Sequence, residues 1–125
     1  MVIGIGLDLV ETARIERLLA RYGEHFVRKL MGTREAAALP MAAAERTLAV
    51  ALAVAAKEAA SKAIGTGWSQ GVHWSDVVVT RAPAPAVRLE GEAAKVARRL
   101  GSSGRTRARL ELRGALAIGE VWLLS

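Results

Sequence analysis

One long segment, residues 41–65, contains little but alanine, leucine and valine after Arg46. This composition predicts a helix that is apolar on every side, and such a helix must be surrounded by other elements of a fold. Its uncharged part, residues 47–56, is too short to cross a bilayer. We therefore expect this helix to be the buried spine of a globular protein.

Charged side chains occupy the end of this helix. Glu58 and Lys62 are four residues apart and share one face, whereas Lys57 lies about 100° round the axis. Charges beside an apolar segment are costly unless they pair or meet a ligand. Two interpretations stay open at this point, an ordinary Glu–Lys pair on a solvated face and one half of a binding site. Gly65 is expected to stop the helix.

The first ten residues indicate a strand with an unusual composition. Gly4 and Gly6 interrupt its apolar side chains, and glycine inside a strand often marks the close approach of another backbone or of a ligand. Asp8 then falls between two leucines near the end of the strand. An aspartate in this position is either a turn or cap residue or a ligand.

The remaining pattern predicts an α+β fold in a single domain of residues 1–125, with a mainly antiparallel sheet packed against the long helix. The helix after the first strand is expected to begin at Thr12 as its N-cap and to end at Gly23, and Thr33 resembles another N-cap. The other expected elements are a short helix at 25–30, strands at 75–80 and 86–90, a helix at 92–100, and a hairpin of 107–113 with 116–124.

Charge and cysteine content limit the function classes. A net charge of +6 favours an anionic partner. The absence of cysteine excludes disulfides and thiolate metal sites and fits a reducing cytosol. Asp8 comes too early for a signal peptide. We expect a cytoplasmic protein without a membrane segment.

A basic face is predicted on the helices that follow the first strand. It is either a solvated surface or a docking surface for an acidic partner, and without interleaved aromatic residues it makes nucleic acid an unlikely partner. Its arginines are Arg14, Arg17, Arg21 and Arg28.

Three stretches, Gly4 to Ile15, Phe26 to Glu35 and Ala55 to Gly67, carry a resemblance to a known family. The first contains Gly-Ile-Gly-Leu-Asp, and the third reads Ala-Ala-Lys-Glu-Ala-Ala-Ser-Lys-Ala-Ile-Gly-Thr-Gly. In these stretches, in element order and in length, the chain is similar to the holo-[acyl-carrier-protein] synthase family, the small trimeric class of 4′-phosphopantetheinyl transferases.

The resemblance implies the fold of that family and its reaction, the Mg²⁺-dependent transfer of 4′-phosphopantetheine from coenzyme A to a serine of an apo acyl carrier protein in fatty acid or polyketide biosynthesis. It implies a homotrimer with sites between subunits, and a carrier protein docked on the basic face. Asp8 and Glu58 are the implied metal ligands and, with Lys62, the implied catalytic residues. The implied coenzyme A contacts are Lys57, Ser61, Lys62, Gly65 and Arg109.

The chain also departs from the family pattern. Arg109, Glu111 and Leu112 occupy the positions of a Ser-x-Ser/Thr-His motif, and Ala53 occupies the position of an arginine. Two interpretations stay open for this strand. Its polar side chains lie on a solvated face, or Arg109 or Arg113 replaces some of the phosphate contacts and Glu111 serves as acid or base. The alternative function is a repurposed relative that docks acyl carrier protein, or its pantetheine-bound chain, without efficient transfer.

Overall fold

The computed structural model describes all 125 residues and has the predicted order of elements, which confirms an α+β fold. The elements are β1 (Val2–Glu11), α1 (Thr12–Tyr22), α2 (Glu24–Leu30), α3 (Thr33–Ala37), α4 (Ala43–Ala63), a 3-10 turn (Trp74–Asp76), β2 (Val77–Thr80), β3 (Ala86–Leu89), α5 (Gly91–Arg99), β4 (Thr106–Arg113) and β5 (Leu116–Leu124).

The strands form two antiparallel sheets, where the sequence had suggested one main sheet. One has the order β1-β5-β4 and the other contains only β2 and β3. The strands of the second sheet are four residues long and pair only with each other. The predicted antiparallel pairing is confirmed, and the division of the strands into two sheets was not predicted.

Helix α4 is the predicted spine, and small residues let the larger sheet lie directly on it. Eleven of its 21 residues are buried, and most of these are alanine. A Cβ atom on Gly6 would lie 1.7 Å from the carbonyl oxygen of Ala59, and one on Gly119 would lie 2.5 Å from the carbonyl carbon of Ala55. The glycines of β1 therefore mark a close backbone approach, as predicted. No helix, α4 included, has the combination of length and apolarity needed to cross a membrane.

The opposite face of the larger sheet is only partly covered. Side chains alternate along a strand, so the glycines of β1 face α4 and its large apolar residues face away. Ile5, Leu7 and Leu9 are 56%, 53% and 56% exposed. Ile5 lies opposite Trp122 and Leu9 opposite Ile118 on β5. These five side chains form an apolar stripe on the outer face of the sheet.

The predicted helix boundaries were close, and two predicted caps were wrong by one residue. Glu11 and Gly32 occupy the N-cap positions of α1 and α3. Thr12 is the first residue of α1, and its hydroxyl donates to the carbonyl oxygen of Ala115 at 3.2 Å instead of capping the helix. Gly65 follows the end of α4 with a φ of 80°, as a C-terminal stop requires.

Candidate active site

A cavity of about 380 Å³ lies between β1, α1, α2 and α4, and three predicted catalytic residues line it. Asp8 comes from β1, whereas Glu58 and Lys62 come from successive turns of α4. Arg14 also lines the cavity. The rest of the lining is mainly apolar and includes Ile15, Leu18, Phe26, Leu30, Val54 and Trp74. The fold thus brings the carboxylate of Asp8 together with the carboxylate of Glu58 and the ammonium group of Lys62, which are 50 and 54 residues further along the chain.

Lys62 pairs with Asp8 and not with Glu58. Its Nζ atom donates to Asp8 Oδ1 at 2.8 Å and to the carbonyl oxygen of Leu7 at 3.1 Å. The side chain of Lys62 is 51% exposed and that of Asp8 is 21% exposed. Asp8 Oδ2 accepts no hydrogen bond from the protein, so one oxygen of this carboxylate is held and the other is free. The simple reading of Glu58 and Lys62 as a surface ion pair is therefore wrong.

Glu58 is held by a tryptophan. Its Oε1 atom accepts a hydrogen bond from Trp68 Nε1 at 3.3 Å, and its Oε2 atom has no protein donor. Trp68 stacks on Trp74, with ring centroids 4.0 Å apart and planes at 21°. Neither tryptophan was among the predicted site residues. The sequence did contain a signal for them. Two of the chain's five aromatic residues, Trp68 and Trp74, lie in the stretch just after the charged end of the helix.

Lys57 lies inside the protein, away from the cavity. It is 0% exposed, and its Nζ atom donates to Glu35 Oε1 at 2.9 Å, to the carbonyl oxygen of Trp74 at 3.1 Å and to that of Val77. Burial lowers the pKa of the Lys57 ammonium, and the charge of Glu35 opposes this shift. The predicted contact of Lys57 with a coenzyme A phosphate is therefore corrected to a buried ion pair, because the ammonium group already has three partners within the chain.

Ser61 and Gly65 do not line the cavity either. The Ser61 hydroxyl donates to the carbonyl oxygen of Glu58 at 2.7 Å, and the residue is 1% exposed. Its predicted phosphate contact is corrected to a bond within α4. Gly65 is exposed at the helix end. Of the predicted coenzyme A contacts on α4 and the turn after it, Lys62 alone lines the cavity.

Three of the residues that depart from the family pattern, Arg109, Glu111 and Leu112, lie on β4, away from the cavity. Arg109 is opposite Glu120 of β5, and its guanidinium group is 3.7 Å from Glu111. The side chain of Arg109 is 71% exposed. Leu112 is 42% exposed, so this strand carries an apolar residue at its surface where the motif has a histidine. Within one copy of the chain, Arg109 does not line the cavity.

The predicted docking arginines are all exposed, and none of them forms an ion pair with a carboxylate of the chain. The guanidinium group of Arg21 lies over the ring of Tyr22, 5.3 Å from its centroid. Since Arg14 also lines the cavity, this basic surface begins at the site. The arginines are Arg14, Arg17 and Arg21 of α1 and Arg28 of α2.

A second cavity, of about 350 Å³, lies beside Ala53. Its floor is apolar, with buried residues that include Leu39, Ala49 and Val79. Three exposed arginines from separate elements stand around it, namely Arg34, Arg81 and Arg88. Guanidinium groups therefore lie close to the position at which the family pattern has an arginine and this chain has alanine. The sequence pattern does not indicate this grouping, because Arg34 is 47 residues before Arg81 and only the fold brings it beside Arg81 and Arg88.

The donor set at the first cavity suits a hard cation. The chain contains no group of three or more histidine, cysteine, aspartate or glutamate side chains that would form a complete protein cage for a metal. Mg²⁺ does not need one, because it commonly binds one or two carboxylates together with water and phosphate oxygens. Asp8 and Glu58, each with one free oxygen, fit that requirement.

Comparison with known proteins gives the family. A family model described as the 4′-phosphopantetheinyl transferase superfamily matches residues 4–115. The holo-[acyl-carrier-protein] synthase of Alkalilimnicola ehrlichii is 42% identical over 106 residues, which cover 83% of each chain. The chain belongs to the holo-[acyl-carrier-protein] synthase family. Another member, from Desulfovibrio desulfuricans, is 43% identical over 103 residues, which cover 81% of each chain.

Solved structures of holo-[acyl-carrier-protein] synthases agree with this assignment. The enzyme of Neisseria meningitidis superposes with a TM-score of 0.87 at 27% identity and covers 100% of both chains. The enzyme of Helicobacter pylori, solved in complex with coenzyme A, has a TM-score of 0.79 at 25% identity and covers 95% of this chain and 98% of that one. The predicted family, fold and transferase class are confirmed.

Proposed function

We propose that this member of the synthase family transfers 4′-phosphopantetheine from coenzyme A to a serine of an apo acyl carrier protein, and that the reaction depends on Mg²⁺. The observation that carries the proposal is the pairing of Lys62 with Asp8 in the cavity that Glu58 also lines. Cleavage of the pyrophosphate of coenzyme A, with transfer of the phosphopantetheinyl group, is favoured by a carboxylate-bound metal ion and by fixed positive charge.

In the proposed reaction the serine hydroxyl attacks the β-phosphorus of coenzyme A, and 3′,5′-adenosine diphosphate leaves. Asp8 and Glu58 would hold Mg²⁺ with their free oxygens, and the ion would supply charge neutralisation at the pyrophosphate. Lys62 serves twice, because its ammonium group holds Asp8 and adds fixed positive charge where negative charge develops.

Carrier-protein docking is proposed for the basic face of α1 and α2. The four exposed arginines there have no carboxylate partner in the chain, so their charge is available to an acidic surface. Such complementarity raises the rate of encounter and fixes the orientation of the partner. Because Arg14 belongs to both the face and the cavity lining, a carrier docked there would have its serine near the reacting groups.

The nucleotide end of coenzyme A needs further positive charge. Arg34 and Arg81 supply it beside Ala53, together with Arg88, which also pairs with Glu90 at 2.7 Å. These residues support retained phosphate binding in spite of the missing family arginine. We keep Arg109 as a second candidate contact, to be supplied by a neighbouring copy of the chain. Separate Arg88→Ala and Arg109→Ala variants decide between them, because the true contact raises the Kd for coenzyme A and the other leaves it unchanged.

We also propose that the chain acts as one domain of residues 1–125 and assembles as a homotrimer in the cytoplasm. A single cluster of 27 buried residues supports the one-domain proposal. The apolar stripe supports assembly, because partner copies would cover Ile5, Leu7 and Leu9, which are more than half exposed. Within this row, the charged residue Glu120 lies opposite Leu7. A monomer mass in sedimentation equilibrium at micromolar concentration contradicts the trimer.

One observation favours the alternative of a repurposed relative. Leu112 has no titratable group, and it stands where the family motif has a histidine. Calorimetric titration with coenzyme A and with holo-carrier protein separates the two functions. Binding of coenzyme A with a Mg²⁺-dependent affinity supports the transferase, whereas tight binding of holo-carrier without any binding of coenzyme A contradicts it.

A further inference from the structure

We propose that Trp68 is a positioning residue for Glu58, whose indole N–H holds one carboxylate oxygen so that the other is presented to the metal. The inference rests on the proposed function, since it takes Glu58 to be a metal ligand. It adds a residue that lies outside all three motif stretches and was not among the predicted site residues.

The two carboxylates of the site are held in the same way. Asp8 Oδ1 accepts from Lys62 at 2.8 Å, and Glu58 Oε1 accepts from Trp68 at 3.3 Å. Neither Asp8 Oδ2 nor Glu58 Oε2 accepts a hydrogen bond from the protein. Each side chain thus has one oxygen fixed and one available. Donors of this kind orient metal-binding carboxylates, and their loss typically lowers metal affinity or activity about 10–100-fold.

Trp68 can hold Glu58 in a fixed position because its own ring is held. The ring stacks on Trp74 at a centroid distance of 4.0 Å. The carbonyl oxygen of Trp74 accepts a hydrogen bond from Lys57, the residue before Glu58 on α4. A hydrogen bond from the Gly67 amide to the carbonyl oxygen of Ser61 ties the adjoining loop to the same helix. The donor and its acceptor are therefore anchored to one rigid element.

Simple packing would not need the indole N–H. A phenyl ring fills much of the same space and stacks on Trp74 but donates nothing, so Trp68→Phe isolates the hydrogen bond. Trp74→Phe is the matched control, because it makes the same change in the same pair and leaves the Trp68 N–H in place. The two variants separate positioning of Glu58 from the stacking of the rings.

The test is a Mn²⁺ titration by electron paramagnetic resonance in the presence of coenzyme A, with Mg²⁺ as competitor. We expect Trp68→Phe to weaken Mn²⁺ binding about tenfold, and Trp74→Phe, which keeps the indole donor of Trp68 but alters the ring stacked on it, to weaken Mn²⁺ binding less than Trp68→Phe does. At saturating metal, the loss of transfer rate in Trp68→Phe should be largely recovered, because a mispositioned ligand lowers affinity without removing the ligand. Wild-type Mn²⁺ affinity in Trp68→Phe overturns the proposal.

A second measurement needs no folded Trp68 variant. In ¹⁵N-labelled wild-type protein, the Trp68 indole N–H signal should shift when Mg²⁺ is added and should also move in Glu58→Ala. No movement in Glu58→Ala overturns the inference.

The outcomes are distinguishable from those for the proposed function. If the wild type binds Mn²⁺ and the Trp68 effects are seen without any transfer, the proposed function fails alone. If the wild type transfers normally and the Trp68→Phe variant binds metal as tightly as the wild type, the positioning role of Trp68 is contradicted and the proposed function stands.

Discussion

Lys57 and Glu35 form an ion pair inside the protein, 2.9 Å apart, with side chains that are 0% and 6% exposed. The second carboxylate oxygen of Glu35 accepts the backbone N–H of Val79 at 3.1 Å. The pair therefore joins α3, α4 and β2. It uses the lysine next to the proposed metal ligand to fix the helix that carries the site, and it leaves Lys62 as the lysine proposed to meet the substrate.

Loss of this pair should destabilise the fold. Lys57→Met leaves the Glu35 carboxylate buried without its cation, and we expect a loss of about 3–5 kcal/mol in the free energy of unfolding, measured by urea denaturation. Lys62→Met is the matched control, and its half-exposed pair with Asp8 should cost less than about 1 kcal/mol. Full stability of Lys57→Met together with weaker coenzyme A binding would restore the phosphate-binding role that the sequence suggested.

Stability should depend on pH through Lys57. Burial lowers the pKa of this ammonium in the folded protein, whereas in the unfolded chain the pKa of a lysine is about 10.4. Between these two values the unfolded state binds more protons, so the contribution of Lys57 to the free energy of unfolding increases with pH there and is constant below that window. Urea titrations at pH 8 and pH 10 should show the wild type gaining stability relative to Lys57→Met. A difference that falls with pH contradicts the burial of the ammonium group.

The contact between β1 and α4 should reject any side chain at position 6. Gly6→Ala places a Cβ atom 1.7 Å from the carbonyl oxygen of Ala59, and the strand must move away from the helix. We expect the free energy of unfolding to fall by about 1–3 kcal/mol. Transfer should also be slower, because Asp8 moves with the strand. Gly32→Ala is the control, since nothing lies within 4 Å of its Cβ position and φ is −73°. Equal stability of the two variants would contradict the observed packing.

Charge reversal on α1 should weaken docking of the carrier protein. Arg17→Glu is expected to raise the KM for apo-carrier about tenfold, to leave kcat nearly unchanged, and to reduce the dependence of kcat/KM on salt, because a rim charge acts mainly on association. Arg98→Glu makes the same charge change on α5, outside the basic face, and serves as the control. Equal effects of the two variants would mean that only net charge matters.

Much of the fold and half of the site could be predicted from the sequence. The alanine-rich, largely apolar middle of α4 predicted a buried helix, and Gly4 and Gly6 indicated the close approach of another backbone or of a ligand. The burial of the Lys57 side chain could not be predicted. Lys57 and Glu58 are adjacent on a helix, and only the elements packed around that helix decide which side chain is buried. The same holds for Trp68, since its contact with Glu58 depends on the path of the loop after Gly65. The division into two sheets depends on which strands pair, and the alternation of residues does not specify this.

The most direct test of the proposed function is mass spectrometry of an apo acyl carrier protein incubated with the enzyme, coenzyme A and Mg²⁺. We predict a mass gain of one phosphopantetheinyl group on the carrier with the wild type, none when Mg²⁺ is removed by a chelator, and a rate at least about 10²-fold lower with Glu58→Gln. Folded wild-type protein that modifies none of a panel of carrier proteins, or a Glu58→Gln variant as fast as the wild type, would contradict the account.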